Sequence, residues 1–225
     1  AYNGFFRRKN TYLRDLTTIQ DVLSANPSDQ DTSNFHTVLS RGTWVYAKDS
    51  SKVQFSLGYD FNYDVAVGRR IADGQQSIMD LALFGSMEYT PIDRLTLRPG
   101  LRWAYNSDYP APVIPSFNLR YRVLDNEKTK VDFRGSYARG FRAPSIKELH
   151  FFFVDVNHNI QGNENLIAET SHNLNASLNF KRAVQNAELR VGLRGFYNDI
   201  SNMITLAQQD QTAFSYFNLD RFKTT

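Results

Sequence analysis

Apolar and polar residues alternate without a break from Lys52 to Gly68. Val53, Phe55, Leu57, Tyr59, Phe61, Tyr63, Val65 and Val67 take one parity; Gln54, Ser56, Gly58, Asp60, Asn62, Asp64, Ala66 and Gly68 take the other. Side chains of a strand point to opposite faces with period two, so this run predicts a ribbon with one apolar and one polar side. At about 3.3 Å per residue it is roughly 50 Å long, against roughly 17–20 Å for an ordinary strand. A ribbon of that length, oily on one flank and wet on the other, predicts a transmembrane β-barrel.

The alternation recurs. Met79, Leu81, Leu83, Met87 and Tyr89 form one apolar set, and Leu95, Leu97, Leu101, Trp103 and Tyr105 another. Further sets are Phe117 to Val123, Val131 to Tyr137, Leu174 to Phe180 and Leu189 to Tyr197. Weaker alternation predicts strands over Phe5–Thr17 and His36–Lys48. Tight turns are expected at Asp49–Ser51, Pro91–Arg94, Asp125–Thr129 and Ala183–Asn186, and longer irregular links at about 18–33, 71–77, 107–115, 139–170 and 199–212. Short turns on one rim and long loops on the other is the asymmetry of outer-membrane barrels. The fold expected is all-β: an antiparallel barrel wall of about ten meandering strands, with residues 1–225 as one partial barrel domain.

Composition sharpens this picture. Mean hydropathy is −0.47 over 225 residues, and no run approaches the roughly 20 apolar residues of a membrane helix, but a barrel strand is apolar only at alternate positions. Without cysteine there is neither a disulfide framework nor a thiolate nucleophile. A net charge of +3 with no lysine-rich block gives no reason to expect a nucleic-acid partner. Ala1 to Gly4 lack the start of a secretory signal, and Arg221 to Thr225 stop inside a strand pattern, so a portion of a longer chain is expected.

The polar parity carries Arg98, Arg102, Arg120, Arg122, Arg134, Arg190 and Arg194 among Asp60, Asp64, Asp80, Glu88 and Asp132. Two readings fit: a solvated face, or a lumen wall that pairs with whatever fills the barrel. Arginine suits the second because its planar fork binds carboxylates bidentately while staying charged. Many other positions of this parity are Gly, Ala, Ser or Asn, which suggests a wide interior.

Three motifs carry a family resemblance. Tyr137-Ala138-Arg139-Gly140-Phe141-Arg142-Ala143-Pro144-Ser145-Ile146-Lys147-Glu148-Leu149 resembles the Y-x-x-G-F-R-A-P-S-x-x-E-L segment of TonB-dependent outer-membrane receptors. Gly162-Asn163-Glu164-Asn165-Leu166-Ile167-Ala168-Glu169 is similar to the G-N-P-D-L-K-P-E string that follows it, with four positions replaced. Asn218 to Thr225 is similar to the N-x-x-x-x-x-T-x-G strand, cut before its glycine. His150 to Gly162 looks most like receptors of the Bacteroidetes branch. The matches span 131–225; the first 130 residues agree in strand pattern alone.

The resemblance implies a 22-stranded barrel in the outer-membrane lipid, closed by its own plug domain and driven by the TonB complex, of which this chain would be a middle part of the wall. It implies import of a scarce nutrient, with an iron or cobalt chelate (haem, siderophore or cobalamin) as the small-molecule ligand. Alternatives are an oligosaccharide importer, or a complete small barrel with enzymatic or adhesive function. Within the first motif, Gly140 permits a bend, Pro144 keeps Ala143 out of a helix, and Ser145 with Glu148 three residues on predicts a capping box.

Candidate chemistry concentrates in the longest link. His150 and His158 flank Phe151, Phe152, Phe153 and Asp155; a histidine there would be an axial ligand to haem with phenylalanine stacking on the porphyrin, or a side chain of a loop held by aromatic packing. The spacing from Asp155 to Asn159 is that of a calcium loop, but Ile160 and the missing downstream glutamate break it, so no metal site is assigned. Tyr109, stiffened by Pro110 and Pro112, would touch ligand or belong to an aromatic girdle. No G-x-S-x-G, phosphate loop or H-E-x-x-H occurs, so no catalytic residue and no resident cofactor are expected.

Overall fold

The computed structural model describes residues 1–25, 29–48, 51–154, 159–211 and 213–225. The alternating runs become long strands: β1 (Tyr2–Lys9), β2 (Tyr12–Asp15), β3 (Gln20–Leu23), β4 (Asp31–Ala47), β5 (Val53–Gly68), β6 (Gln75–Ile92), β7 (Leu95–Asn106), β8 (Ile114–Asp125) and β9 (Thr129–Arg142). A helix α1 (Ile146–His150) and the short strands β10 (Phe152–Val154) and β11 (Asn159–Gln161) follow, then β12 (Glu169–Val184), β13 (Ala187–Gln208) and β14 (Ala213–Thr224). Ten of them, in the order β1-β4-β5-β6-β7-β8-β9-β12-β13-β14, form an antiparallel meander. β11 joins β14 in parallel, and β10 pairs with β11.

Register fixes the two faces. Phe55 lies between Tyr46 and Met87, and Leu57 between Trp44 and Gly85, so the apolar parity of one strand meets that of the next. Phe55, Leu57 and Leu101 are 44%, 54% and 55% exposed, so this face points out of the molecule. A large exposed apolar sheet face is tolerable only where something other than water covers it, and hydrocarbon is what a barrel meets. On the other face Asp60 sits opposite Arg41 and Ala82. The buried core is small and lies on that polar side, where Ala66, Ile71, Ile78 and Ile204 meet Ile146, Leu149 and Leu166 of the long link. The ends of the sheet order approach one another at the long-loop rim, with the Phe153 ring of β10 near Arg7 and Lys9 of β1, so the sheet is a trough with its polar side inward.

Three segments depart from the sequence expectation. The strand expected over Phe5–Thr17 ends at Lys9, and Tyr12–Asp15 pairs with Gln20–Leu23 instead, because Asp15 Oδ1 accepts from the Thr17 and Thr18 amides and turns the chain. The link expected at 199–212 is mostly strand: β13 runs to Gln208, paired with Phe214, since a ladder that rises past the apolar band has no need of apolar alternation. The link at 139–170 is ordered by α1, β10 and β11. Tight turns stand at Asp93–Arg94, Asn126–Lys128 and Gln185–Asn186, the last with Gln185 at φ 48. Asp49 and Ser50 of the other expected turn lie outside the described residues.

Candidate ligand vestibule at the long-loop rim

The sequence after β9 folds inward because of one guanidinium. Arg142 Nη1 reaches Glu148 Oε2 at 2.9 Å, while Nε and Nη2 bind Glu169 bidentately at 2.8 Å each. Glu169 Oε1 also accepts from the Ile204 amide at 2.6 Å, which ties β12 to β13 beside the same site. The predicted capping box is present: Ser145 N donates to Glu148 Oε2 at 2.8 Å and Ser145 Oγ accepts from the Glu148 amide at 3.4 Å. Pro144 is fully buried, and Ile146 and Leu149 enter the core. The motif therefore turns α1 onto the inner wall, against β6, rather than out into solvent. A cavity of about 550 Å³ remains between this segment and Asp60, Asn62, Asp64 and Asp80.

Burial pushes the Glu148 carboxyl up, but hydrogen bonds from Arg142 and Ser145 outweigh it and hold it below its ordinary value. A carboxyl lowered by folding adds stability that is complete above the ordinary glutamate pKa of about 4.3 and vanishes as pH falls through the lower folded value. Amide exchange of residues 146–150 is expected to stay slow at neutral pH and to accelerate below that range. In Glu148→Gln the acid step should disappear; an identical step in that variant would assign it to another group.

The second and third motifs close the same device. Gly162 packs so tightly that an added Cβ would stand 2.4 Å from the Leu149 carbonyl oxygen. Asn163 Nδ2 donates to the Tyr216 carbonyl at 2.8 Å, and its amide to the Glu148 carbonyl at 2.9 Å. Asn218 reads both backbone groups of Ile167, accepting from its amide and donating to its carbonyl at 2.9 Å each. Three strings far apart in sequence thus fasten one loop to the wall.

His150 lies at the end of α1 with Nδ1 3.1 Å from Glu164 Oε1. A proton on Nδ1 leaves Nε2 as the acceptor, the arrangement by which a carboxylate orients an imidazole for a metal. The ring stands between two cavities, one of about 330 Å³ lined by Phe152 and one of about 430 Å³ lined by Tyr109. The Tyr109 hydroxyl donates to the Leu166 carbonyl at 3.0 Å, and burial, then the Asp108 charge, pushes its pKa up. Tyr109 therefore anchors the loop interior and does not sit at the lipid face. Asp155 and His158 lie outside the described residues. No group of three or more His, Asp or Glu is placed to hold a metal ion among the described residues.

One cluster goes beyond the sequence expectation. Arg70 lies with its guanidinium carbon 4.5 Å from the Phe153 ring centre, and Arg7 and Lys9 stand 5.8 and 5.9 Å from it. Arg70 is nearly buried, its Nε 3.4 Å from Asp31, and its Nη1 has no hydrogen-bond partner among the described residues. Asp31 is the cluster's only carboxylate among the described residues, so three cations meet one anion around an aromatic ring. The basic run Arg7-Arg8-Lys9 and the pair Arg69-Arg70 are visible in sequence; their meeting is not.

All seven arginines of the polar parity face inward by register. Arg102 binds Asp60 at 3.2 Å, Arg120 binds Asp132 and Arg122 binds Asp125 at 3.1 Å, and Arg98 and Arg190 pair with Glu88 and Glu188. These five neutralise acids of the wall itself. Arg134 and Arg194 flank Ser177 in register, have no carboxylate partner among the described residues and line a cavity of about 650 Å³.

The chain belongs to the family described as TonB dependent receptor-like, beta-barrel, which matches it over residues 1–224. The wall is similar to that of the siderophore receptor PirA from Pseudomonas aeruginosa, with TM-score 0.67 and 21% identity over 86% of this chain and 38% of that one. It is also similar to the ferric enterobactin receptor PfeA of Pseudomonas aeruginosa, with TM-score 0.69 and 17% identity over 99% and 36%. A third likeness is to the Serratia marcescens hemophore receptor HasR, solved with its hemophore HasA and heme, with TM-score 0.66 and 16% identity over 86% and 39%. At these identities the likeness is one of fold, and this chain spans under two fifths of each of those structures. No curated protein matches the chain.

Proposed function

We propose that this chain is wall and vestibule of an outer-membrane importer that captures an anionic iron chelate at the long-loop rim, within a larger barrel that holds a plug and takes its energy from TonB. The observation that carries the reading is the cradle of Arg7, Lys9 and Arg70 around Phe153, a surplus of positive charge against an aromatic face. A chelate bearing carboxylates or catecholates would be held there by charge-assisted hydrogen bonds and by stacking. Relatives in fold include receptors for a siderophore and for a heme-carrying hemophore, which favours iron over cobalt. Haem would use the same surface through its propionates, with His150 Nε2 facing the metal. Bacteroidetes-type receptors, the branch that the loop after His150 resembles, include importers of neutral oligosaccharides, which the cradle gives no reason to bind.

The test is titration of the intact receptor, followed by fluorescence quenching, with a ferric tris-catecholate, haem and a neutral maltooligosaccharide. R7Q/K9Q is expected to weaken the tris-catecholate or haem at least tenfold, since each lost charged contact is worth about 1 kcal/mol or more. His150→Ala should weaken only haem and alter its Soret band. Oligosaccharide binding that R7Q/K9Q leaves intact, with no binding of either iron probe, would overturn the reading.

A further inference from the structure

Asp31 is out of place in a site built for anions. A carboxylate beside three cations weakens the pull of the cradle on any anion, and charge alone gives no reason to keep it. It opens β4, and its Oδ1 accepts from the Ser33 hydroxyl at 3.0 Å. Gly68, opposite Ser33 in the ladder, lets the end of β5 come close: an added Cβ would stand 2.7 Å from the Thr32 carbonyl oxygen. The chain then turns, with the Ile71 amide donating to the Gly68 carbonyl at 3.1 Å. The Arg70 carbonyl accepts from the Phe152 amide at 3.0 Å, and Ile71 bridges to Phe151. The backbone of Arg70 is thus pinned between β4 and the segment that carries the Phe153 ring.

The pairing of these two side chains is incomplete. They are 1% and 9% exposed, yet Oδ2 of Asp31 and Nε of Arg70 stay 3.4 Å apart. Neither Asp31 Oδ2 nor Arg70 Nη1 has a hydrogen-bond partner among the described residues. Lys9 stands directly opposite Asp31 in the ladder, but the ion-pair partner of the carboxylate among the described residues is Arg70. An arginine engaged only to hold the fold closes its fork, as Arg142 does on Glu169 with two contacts of 2.8 Å. Arg70 instead lies against Phe153 and keeps donor capacity where water hardly reaches. A buried donor without an acceptor costs free energy, and an anionic ligand oxygen would supply the acceptor. We propose that Asp31 is a positioning residue for ligand capture: it holds the Nε end of Arg70 and so presents Nη1 to one oxygen of the bound anion. The inference rests on the proposed cradle and divides the work within it. Arg7 and Lys9 supply charge; Asp31 with Arg70 supplies direction.

The two roles open to Asp31 differ in sign. As a counter-charge alone, its removal would tighten binding, because the cradle gains a net positive charge. As a positioning residue, its removal weakens binding in spite of that gain. The intact receptor is titrated with a ferric tris-catecholate and with haem, and association and dissociation are followed by stopped-flow fluorescence. D31N is expected to bind about tenfold more weakly, the worth of one hydrogen bond to a charged group, through faster dissociation with association undiminished. D31E returns the carboxylate and should recover most of the loss. In an R70Q background D31N should cost nothing further, since the group it aims is gone. R70K keeps the charge without the fork and should also lose about tenfold. Binding by D31N at or above wild-type strength, an undiminished D31N loss in R70Q, or wild-type binding by R70K overturns the inference. Amide exchange of β4 and β5 reports whether D31N folds; where it does not, R70K decides alone. Weakening in R7Q/K9Q but not in R70K or D31N ends this inference and leaves the cradle standing. Unchanged binding in all of these variants ends the cradle reading as well.

Discussion

Replacing Arg142 with methionine is expected to release the inward-folded loop and abolish tight ligand capture while the ten-strand wall survives. The guanidinium spans Glu148 on α1 and Glu169 on β12, and both carboxylates are largely shielded from water. Without it two anions face each other across a gap with no cation between them, so the loss exceeds that of the hydrogen bonds alone. Hydrogen bonds to charged groups contribute about 1.5–3 kcal/mol each, and the half-exposed position of Arg142 discounts them, leaving about 2–4 kcal/mol for loop release. The methionine stem keeps much of the packing, so the ladder of β7, β8 and β9 is expected to retain its exchange protection. Residues 146–150 and 159–166 should exchange at least tenfold faster and become open to protease. Adding Glu148→Gln should restore part of the protection by removing the repulsion. Protection equal to wild type in Arg142→Met would show that packing of Ile146, Leu149 and Leu166 holds the loop unaided.

How far the sequence foretells this structure depends on the range of the interaction. Period-two alternation is local, so the strands from Val53 onward, their faces and most tight turns are legible from the residues themselves. The capping box is local too, because Ser145 and Glu148 are three positions apart. What the alternation hides is the loop that folds back inside. Ile78 and Ile204 share the inward parity with Asp80 and Asn198, and within their own strands they read as irregularities in a wet face. They are the floor on which Ile146 and Leu149 land. The cradle is hidden for the same reason: Arg7, Arg70 and Phe153 come from segments joined only when the trough curves. The inner arginines show the limit of a residue-type argument: five of the seven are taken up by acids of the wall, Arg122 and Arg190 within their own strands and Arg98, Arg102 and Arg120 across strands, and the residue type alone does not say which two are left.

Gly162→Ala tests whether the loop must be this tight. The new Cβ would stand 2.4 Å from the Leu149 carbonyl oxygen, 2.7 Å from its carbon and 2.9 Å from the His150 amide nitrogen. Those atoms are backbone at the end of α1, so no side-chain rotation relieves the clash; the helix end and the Gly162 segment must separate. Separation stretches two hydrogen bonds, from the Gly162 amide to the Phe151 carbonyl and from the Asn163 amide to the Glu148 carbonyl, both 2.9 Å. It also draws Glu164 away from His150, which loses the carboxylate that orients it. Overpacking of this kind costs about 1–3 kcal/mol. The expected result is faster exchange of α1 and weaker ligand binding, with wild-type strand exchange. Gly195→Ala is the control: nothing lies within 4 Å of its added Cβ, and stability should move by less than about 0.5 kcal/mol. If both variants behave alike, the close approach of Gly162 to Leu149 has no energetic consequence, and the loop's position must come from Arg142 and the core beneath it.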